Sequence, residues 1–161
     1  MKKVIIISCI LVLFSSALVF AQSERKGTLI GTFGIGGGFS TTIQTAPQIS
    51  LMVDLNLISK KGFTVCFADA AGIRFSIPIA FSQHIMLGAG YHYMKDRWNI
   101  GGALLFSPMS GDLLLAGKIN GSYYFTDDIG VTGIIMYRQT ANINWQLSMF
   151  DVFAGISIRL Y

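Results

Sequence analysis

Charged side chains are scarce in this sequence. They make up 12% of its 161 residues, whereas 52% of the residues are hydrophobic. An intrinsically disordered chain has the opposite composition, with high charge and low hydrophobicity, so disorder is excluded. The formal net charge is +4, and Lys2 and Lys3 supply two of those charges. The rest of the chain has a net charge of +2 and no basic stripe, which argues against a nucleic-acid partner.

Cysteine and proline are also rare. Of the two cysteines, Cys9 lies in an N-terminal apolar segment and Cys66 is alone in the remainder, so residues 22–161 cannot form an internal disulfide. The three prolines fall in or beside predicted links between strands, where a missing N–H does least harm. After the first 21 residues the sequence has no apolar run of about 18 residues and no helical spacing, so it predicts no transmembrane helix there.

The N-terminal segment has the pattern of a secretory signal peptide. Two lysines are followed by the apolar stretch Val4–Phe20, and Ala21 stands before a predicted cleavage site. An uncleaved membrane anchor is the alternative, but the polar residues 23–26 that follow at once favour cleavage. We therefore expect a removed signal peptide over 1–21 and one mature domain over 22–161.

The mature chain alternates between apolar and polar residues with a period of two, which is typical of β-strands. The clearest case runs from Gln48 to Leu57, where the odd-numbered residues are Ile, Leu or Val and the even-numbered ones are mostly polar. Polar clusters between such runs divide the chain into eight predicted strands. Their spans are 28–40, 47–59, 62–72, 81–94, 97–107, 112–125, 129–139 and 145–160.

Two irregularities leave room for other arrangements. Between residues 62 and 84 two alternating runs follow one another, and Asp69 lies on the apolar face of the first run. These runs leave ten strands as the alternative count. A change of phase near Phe150 and Asp151 predicts a β-bulge in the last strand.

The predicted links form two sets that alternate along the chain. The tight and charged set comprises 59–62, 95–97 and 126–128. The looser and mostly uncharged set comprises 41–46, 73–80, 108–111 and 140–144. This alternation indicates an up-and-down meander, in which each strand runs antiparallel to the next.

The apolar faces are long enough to cross a bilayer, because four to six consecutive outward positions match the 9–11 residues of a tilted membrane-spanning strand. In hydrocarbon every backbone N–H and C=O needs an internal partner, so such strands must close into a barrel. The sequence therefore predicts an all-β fold, an eight-stranded antiparallel up-and-down transmembrane β-barrel. A soluble secreted β-barrel or sandwich is the alternative.

Aromatic residues are predicted to form a belt at each end of the barrel, since amphipathic rings prefer the water–lipid boundary. The belt beside the charged turns contains Phe63, Tyr91, Tyr93, Trp98, Tyr123 and Phe125. The belt near the opposite loops contains Phe39, Phe106, Tyr137 and Trp145. Glycines on the inner faces suit a narrow lumen in which the backbone curves tightly.

Four charged residues fall on predicted inward faces: Asp54, Lys118, Arg138 and Arg159. Because the lumen of an eight-stranded barrel is just wide enough for side chains to fill it, we predict that these residues form an ion-pair network that closes the lumen. A narrow path for ions or small solutes, lined by the same charges, is the alternative. Cys66 is also inward and is interpreted as a small lumen filler.

No residue pattern predicts a catalytic, metal or cofactor site. His84 and His92 are eight residues apart, without a carboxylate or cysteine at metal-ligand spacing. Ser82 lies near His84, which leaves a lipid-active enzyme as an alternative, although ordinary turn chemistry explains this pair. The glycine-rich segment 34–38 lacks the Lys-Ser/Thr and the helix that follow a phosphate loop. We expect a protein without enzymatic activity or a cofactor.

The whole of 22–161 resembles the small outer-membrane β-barrel proteins, such as the OmpX type and the transmembrane domain of OmpA. The resemblance lies in the strand pattern, in the hairpin-like segment Tyr124–Gly130 and in the aromatic final residue, Tyr161. It implies a location in the bacterial outer membrane, contact with outer-membrane lipid and a monomer. It also implies recognition by the outer-membrane assembly machinery through the strand that ends at Tyr161. We expect a structural or surface-interaction role, with a lumen filled by side chains and short surface loops.

Overall fold

The computed structural model describes residues 27–41, 46–76, 78–107, 114–140 and 148–161. They form eight strands: β1 (Thr28–Thr41), β2 (Ala46–Ile58), β3 (Phe63–Arg74), β4 (Ala80–Lys95), β5 (Trp98–Ser107), β6 (Leu114–Tyr124), β7 (Ile129–Thr140) and β8 (Ser148–Leu160). The predicted count of eight is confirmed, and the bounds agree within two residues wherever the described ranges allow the comparison. The predicted signal peptide and Trp145 lie outside the described residues.

The strands form one closed antiparallel sheet. Each strand pairs with its neighbour in sequence and β1 pairs with β8, so the sheet has no free edge. Ten strands is therefore the wrong count, because residues 62–84 contribute only β3 and the beginning of β4. The predicted bulge is also wrong, since Phe150 and Asp151 keep an unbroken register against β1 and β7. The apparent change of phase arises because Phe153, a large apolar residue, points into the lumen and is 1% exposed.

The strands are staggered as the barrel closes. A row of paired residues that starts at Leu29 of β1 passes once through every strand and returns to β1 at Phe39, ten residues further along. With a rise of about 3.3 Å per residue and strands about 4.8 Å apart, this stagger tilts the strands by about 40° from the barrel axis. Because the barrel has only eight strands, its lumen is narrow enough for side chains from opposite walls to touch.

The two faces of the sheet have opposite chemistry. Side chains alternate between buried and exposed along each strand, as in β2 and β7. The outward side chains are mostly large and apolar, and Phe33, Leu104 and Ile119 are each exposed by 60% or more. The buried side chains include many polar and charged groups. A soluble β-sandwich has the reverse arrangement, with apolar side chains inside and polar ones outside.

The barrel has a turn end and a loop end. The turn end carries the links 59–62, 96–97 and 125–128, and β1 begins and β8 finishes there. Gly62 has a φ of 89°, and a Cβ at this position would lie 2.5 Å from the carbonyl oxygen of His92, so only glycine fits. Asp96, with a φ of 52°, begins the two-residue turn between the paired residues Lys95 and Trp98. Among the described residues no helix is long and apolar enough to cross a membrane.

Candidate functional site in the barrel lumen

A buried polar triad lies in the middle of the lumen. Lys118 on β6 forms an ion pair with Asp54 on β2, and Lys118 Nζ donates a hydrogen bond of 2.9 Å to Asn56 Oδ1. Asn56 Nδ2 donates in turn to Asp54 Oδ2 at 2.7 Å. The side chains of Lys118 and Asp54 are 0% and 1% exposed. Both charges are therefore removed from bulk water and are compensated by each other and by one amide.

The triad joins opposite walls of the barrel. β2 and β6 are four strands apart in a closed ring of eight, so they face each other across the lumen. Asp54 and Lys118 both lie near the middle of their strands and point inward. A contact between them therefore occupies the axis of the barrel.

A second chain of contacts lies closer to the loop end. Arg138 on β7 forms an ion pair with Asp151 on β8. Asp151 Oδ1 also accepts hydrogen bonds from Gln48 Nε2 at 2.5 Å and from Ser50 Oγ at 3.1 Å. Arg138 Nη1 lies 2.9 Å from His84 Nδ1, and since a guanidinium can only donate, His84 accepts there. This chain links β2, β4, β7 and β8.

Arg159 lies at the turn end, apart from both ion pairs. Its guanidinium carbon is 3.8 Å from the centroid of the Tyr124 ring, and its Nη1 donates to the Tyr161 hydroxyl at 3.0 Å. The Tyr124 hydroxyl is 3.0 Å from Ser157 Oγ. The guanidinium is held by an aromatic face and a phenol, and the described residues give it no carboxylate partner.

Apolar side chains fill the space between these polar layers. The set comprises Met52, Cys66, Ala68, Ala70, Met86, Ala103, Leu105, Leu114, Ala116, Ile134, Met136, Met149 and Phe153. Inward glycines leave room for large neighbours. A Cβ on Gly101 would lie 2.4 Å from Cγ of His92, its partner on β4, whose Nδ1 is 3.0 Å from Asn99 Oδ1. Apolar and polar side chains of the described strands thus alternate in layers along the interior of the barrel.

The aromatic residues chosen from the sequence lie outward near the two ends. Phe63, Tyr91, Tyr93, Trp98, Tyr123 and Phe125 lie at the turn end, and Phe39, Phe106 and Tyr137 lie nearer the loop end. Several contact a ring on the next strand. Phe63 meets Tyr91 edge to face at 5.8 Å, and Trp98 meets Tyr123 at 4.9 Å. Phe39 stacks on Phe150 at 5.6 Å, a contact that the sequence analysis did not include.

In the described strands, a carboxylate lies within the outer apolar band. Asp69 is on β3, six residues from Phe63 and six from Phe75, and so near the middle of the apolar band. Its Oδ2 accepts a hydrogen bond of 2.9 Å from Gln83 Nε2 on β4. The pairing lowers the cost of a carboxylate on this face but leaves Asp69 Oδ1 buried without a partner.

The described residues contain no cluster of three or more His, Cys, Asp or Glu side chains that could hold a metal ion. The sequence pair Ser82 and His84 is not joined by a hydrogen bond, because Ser82 Oγ has no partner and His84 Nδ1 accepts from Arg138. His84 Nδ1 is therefore engaged by Arg138 rather than by Ser82.

Four charged side chains were assigned correctly to the lumen from the sequence, but several of their partners were missed. Asp54 and Lys118 meet, whereas Arg138 pairs with Asp151, which was not among the candidates. Gln48, Ser50 and His84 were also missed. Strict alternation from Phe153 back to Asp151 is the signal that places this carboxylate inside, and the expected bulge obscured it.

The comparisons with known proteins agree with the fold. No family model and no curated protein matches the chain. The chain is similar to the solved structure of Neisserial surface protein A, with 11% identity, a TM-score of 0.63, and coverage of 83% of this chain and 98% of that one. It is also similar to Ail, the attachment invasion locus protein of Yersinia pestis, with 11% identity, a TM-score of 0.57 and coverage of 84% and 99%. A designed transmembrane β-barrel matches with 11% identity, a TM-score of 0.55 and coverage of 83% and 95%.

These likenesses concern the fold, because at 11% identity they carry no residue-level information. They confirm the resemblance to small outer-membrane barrels at that level. The chain has the eight-stranded closed antiparallel β-barrel fold that small outer-membrane proteins such as Neisserial surface protein A and Ail also have.

Proposed function

We propose that this protein is a bacterial outer-membrane β-barrel with a lumen closed by side chains and a structural or surface-interaction role. The observation that carries the proposal is the inverted chemistry of the sheet, with large apolar side chains outside and charged pairs inside. An apolar outer surface is stable in contact with the hydrocarbon of a bilayer. A closed sheet also pairs the backbone N–H and C=O groups of its strands, which have no water to bind in hydrocarbon.

The length and ends of the apolar band support this location. The described strands are 10 to 16 residues long, which is enough to cross a bilayer at a tilt of about 40°. Outward rings lie near both ends of the band, as membrane-interface belts do. We further propose export through a cleaved signal peptide over 1–21, and assembly as a monomer through the last strand, which ends beside Tyr161.

Two experiments test the location. Heat-modifiable gel mobility of the membrane fraction is expected to show a compact barrel that unfolds on boiling, and N-terminal sequencing is expected to begin at Gln22. A processed protein that is folded and monodisperse in plain buffer without detergent contradicts the proposal and supports a soluble secreted barrel.

The closed lumen is proposed from two polar layers and the apolar packing between them. Lys118 and Asp54 meet at the axis. Nearer the loop end, Arg138 is ion-paired with Asp151 on the adjacent strand β8 and reaches across the lumen to His84 on β4. In planar bilayers we expect no steady conductance from the purified monomer. A quadruple variant with alanine at Asp54, Lys118, Arg138 and Asp151 is expected to conduct, because it removes both the Asp54–Lys118 and the Arg138–His84 contacts across the lumen.

A narrow pore is the second candidate, favoured by the charged side chains on the inward faces of the described strands: Asp54, Arg74, Lys118, Arg138, Asp151 and Arg159. Steady conductance from the unaltered protein supports the pore and contradicts the closed lumen. A lipid-active enzyme is tested by replacing His84 and His92, which is expected to leave membrane lipid composition unchanged.

A further inference from the structure

The turn end of the barrel carries a basic surface on one side. The β2–β3 turn contributes Lys60 and Lys61. The β4–β5 hairpin contributes Lys95, the last residue of β4, and Arg97 in the turn. All four side chains are exposed, and neither of the two ion pairs among the described residues involves them. We call these four residues the basic arc. The arc carries four positive charges, and with Asp96, which lies between Lys95 and Arg97, the local net charge is +3.

The opposite side of the same rim is acidic. The β6–β7 turn carries Asp127 and Asp128, both exposed. This turn is four strands away from the β2–β3 turn in a ring of eight, so the two lie across the barrel mouth from each other. The charges at the turn end are therefore unevenly distributed: the cations lie at the β2–β3 and β4–β5 connections, and the carboxylates lie at the β6–β7 turn.

The basic arc is held against the outward aromatic residues. Lys95 pairs with Trp98 across the β4–β5 hairpin. The β2–β3 turn is fixed to β4 because His92 N donates to Gly62 O at 2.8 Å, and the neighbouring Phe63 contacts the ring of Tyr91. Rings of this kind lie at the level of lipid headgroups, so the adjacent cations lie at that level too.

We propose that the basic arc binds anionic phospholipid headgroups of the leaflet around the turn end, a proposal that rests on the proposed membrane location. Lysine and arginine side chains near a bilayer surface attract anionic lipids, and their long stems let the charged groups reach the phosphates while the rings stay in the interface. The acidic turn repels the same headgroups, so the lipid shell is one-sided.

The position of the arc favours lipid over a soluble or polymeric anion. Its cations lie on the outer rim, directly beyond outward Phe63 and Trp98, rather than in the buried lumen. A headgroup whose acyl chains lie along the apolar wall reaches them without losing any contact with the membrane. A cell-wall polymer with carboxylate groups is the competing anion, and the experiment includes it.

Trp98 provides a reporter inside the proposed site. The chain has two tryptophans, and Trp145→Phe leaves Trp98, the partner of Lys95, as the single fluorophore. The protein is refolded into phosphatidylcholine vesicles containing phosphatidylglycerol. In one set of vesicles the phosphatidylcholine carries a bromine label that quenches tryptophan fluorescence, and in the other set the phosphatidylglycerol carries it. We expect quenching to report a binding constant for phosphatidylglycerol that is at least about fivefold above that for phosphatidylcholine. The ratio of the two constants is expected to fall toward one as the salt concentration is raised.

A charge variant and a matched control test the arc itself. The variant with glutamine at Lys60, Lys61, Lys95 and Arg97 is expected to lose the preference, so that the ratio falls to about one. Asp127→Asn with Asp128→Asn changes the same rim and is expected to keep or raise the ratio. A preference that survives in the glutamine variant, or that disappears in the asparagine control, overturns the proposal.

Two further readouts separate the possible failures. Heat-modifiable mobility in pure phosphatidylcholine vesicles measures barrel formation, so a chain that does not insert there contradicts the proposed function rather than the lipid site. The polymer is tested by sedimentation with purified cell-wall sacculi. The lipid proposal is overturned in favour of the polymer if sedimentation depends on the four cations while the quenching ratio is unchanged in the glutamine variant.

Discussion

Replacement of Lys118 by methionine tests whether the lumen is dry. The substitution removes the cation and leaves the Asp54 carboxylate, which is 1% exposed, with Asn56 as its remaining hydrogen-bond donor. Asn56 Oδ1 loses its donor as well. Breaking a buried ion pair in this way costs about 3–5 kcal/mol, whereas loss of a solvated pair costs about 0–1 kcal/mol. The size of the loss therefore reports how far water enters the lumen.

The free energy of unfolding can be measured by denaturant titration of the barrel in lipid vesicles, with heat-modifiable mobility as the assay of the folded fraction. We expect Lys118→Met to lower it by about 3–5 kcal/mol. The triple variant Asp54→Leu, Asn56→Leu and Lys118→Met converts the whole triad to apolar groups of similar size. It is expected to return to within about 2 kcal/mol of the unaltered protein, because no buried polar group is left without a partner.

The result that refutes this reasoning is a loss below about 1 kcal/mol in the single variant, which is the value for a pair in contact with water. A triple variant that is as unstable as the single variant also refutes it. In that case the polar triad, rather than the desolvation of its charges, holds the opposite walls together.

Two other substitutions test packing and the outer face. Gly101→Ala is expected to lower the free energy of unfolding by about 1–3 kcal/mol, because the new methyl group overlaps the base of the His92 ring. Gly133→Ala is the control. A Cβ added there meets no atom within 4 Å, so the free energy of unfolding is expected to change by less than about 0.5 kcal/mol. Equal effects in the two variants would falsify the inward assignment of Gly101. Asp69→Leu is expected to stabilise the barrel in lipid by about 1–2 kcal/mol, and Gln83→Leu to destabilise it, since the carboxylate then loses its donor. A destabilising Asp69→Leu contradicts a lipid-facing position.

The sequence was most informative where one strand face is uniformly apolar. In β2 the alternation from Gln48 to Leu57 matches the buried and exposed side chains residue by residue. Period two also placed Asp69 on the outer face, where the structure has it. These assignments depend only on neighbours along one strand, and so they do not require knowledge of which strands pair.

The contacts in the lumen were harder to predict. Asp54 and Lys118 were both assigned to the interior, but their contact depends on the closure of eight strands that brings β2 opposite β6. Arg138 has Asp151 rather than Asp54 as its carboxylate because the register of β7 and β8 places Asp151 opposite Met136, two residues from Arg138 on the same inward face. Arg159 lies at the far end of its strand, too distant along the axis to join either pair, and therefore stacks on Tyr124.

The sequence by itself determined the number of strands, their faces and the position of the charged turns, because alternation and turn chemistry are local properties of the chain. Only the tertiary structure decided which inward charges meet, which one is left to an aromatic partner, and how the charged turns are arranged around the rim. Those outcomes depend on the registers of all eight strand pairs together, including the β1–β8 pair that closes the barrel, and the alternation along a single strand does not contain them.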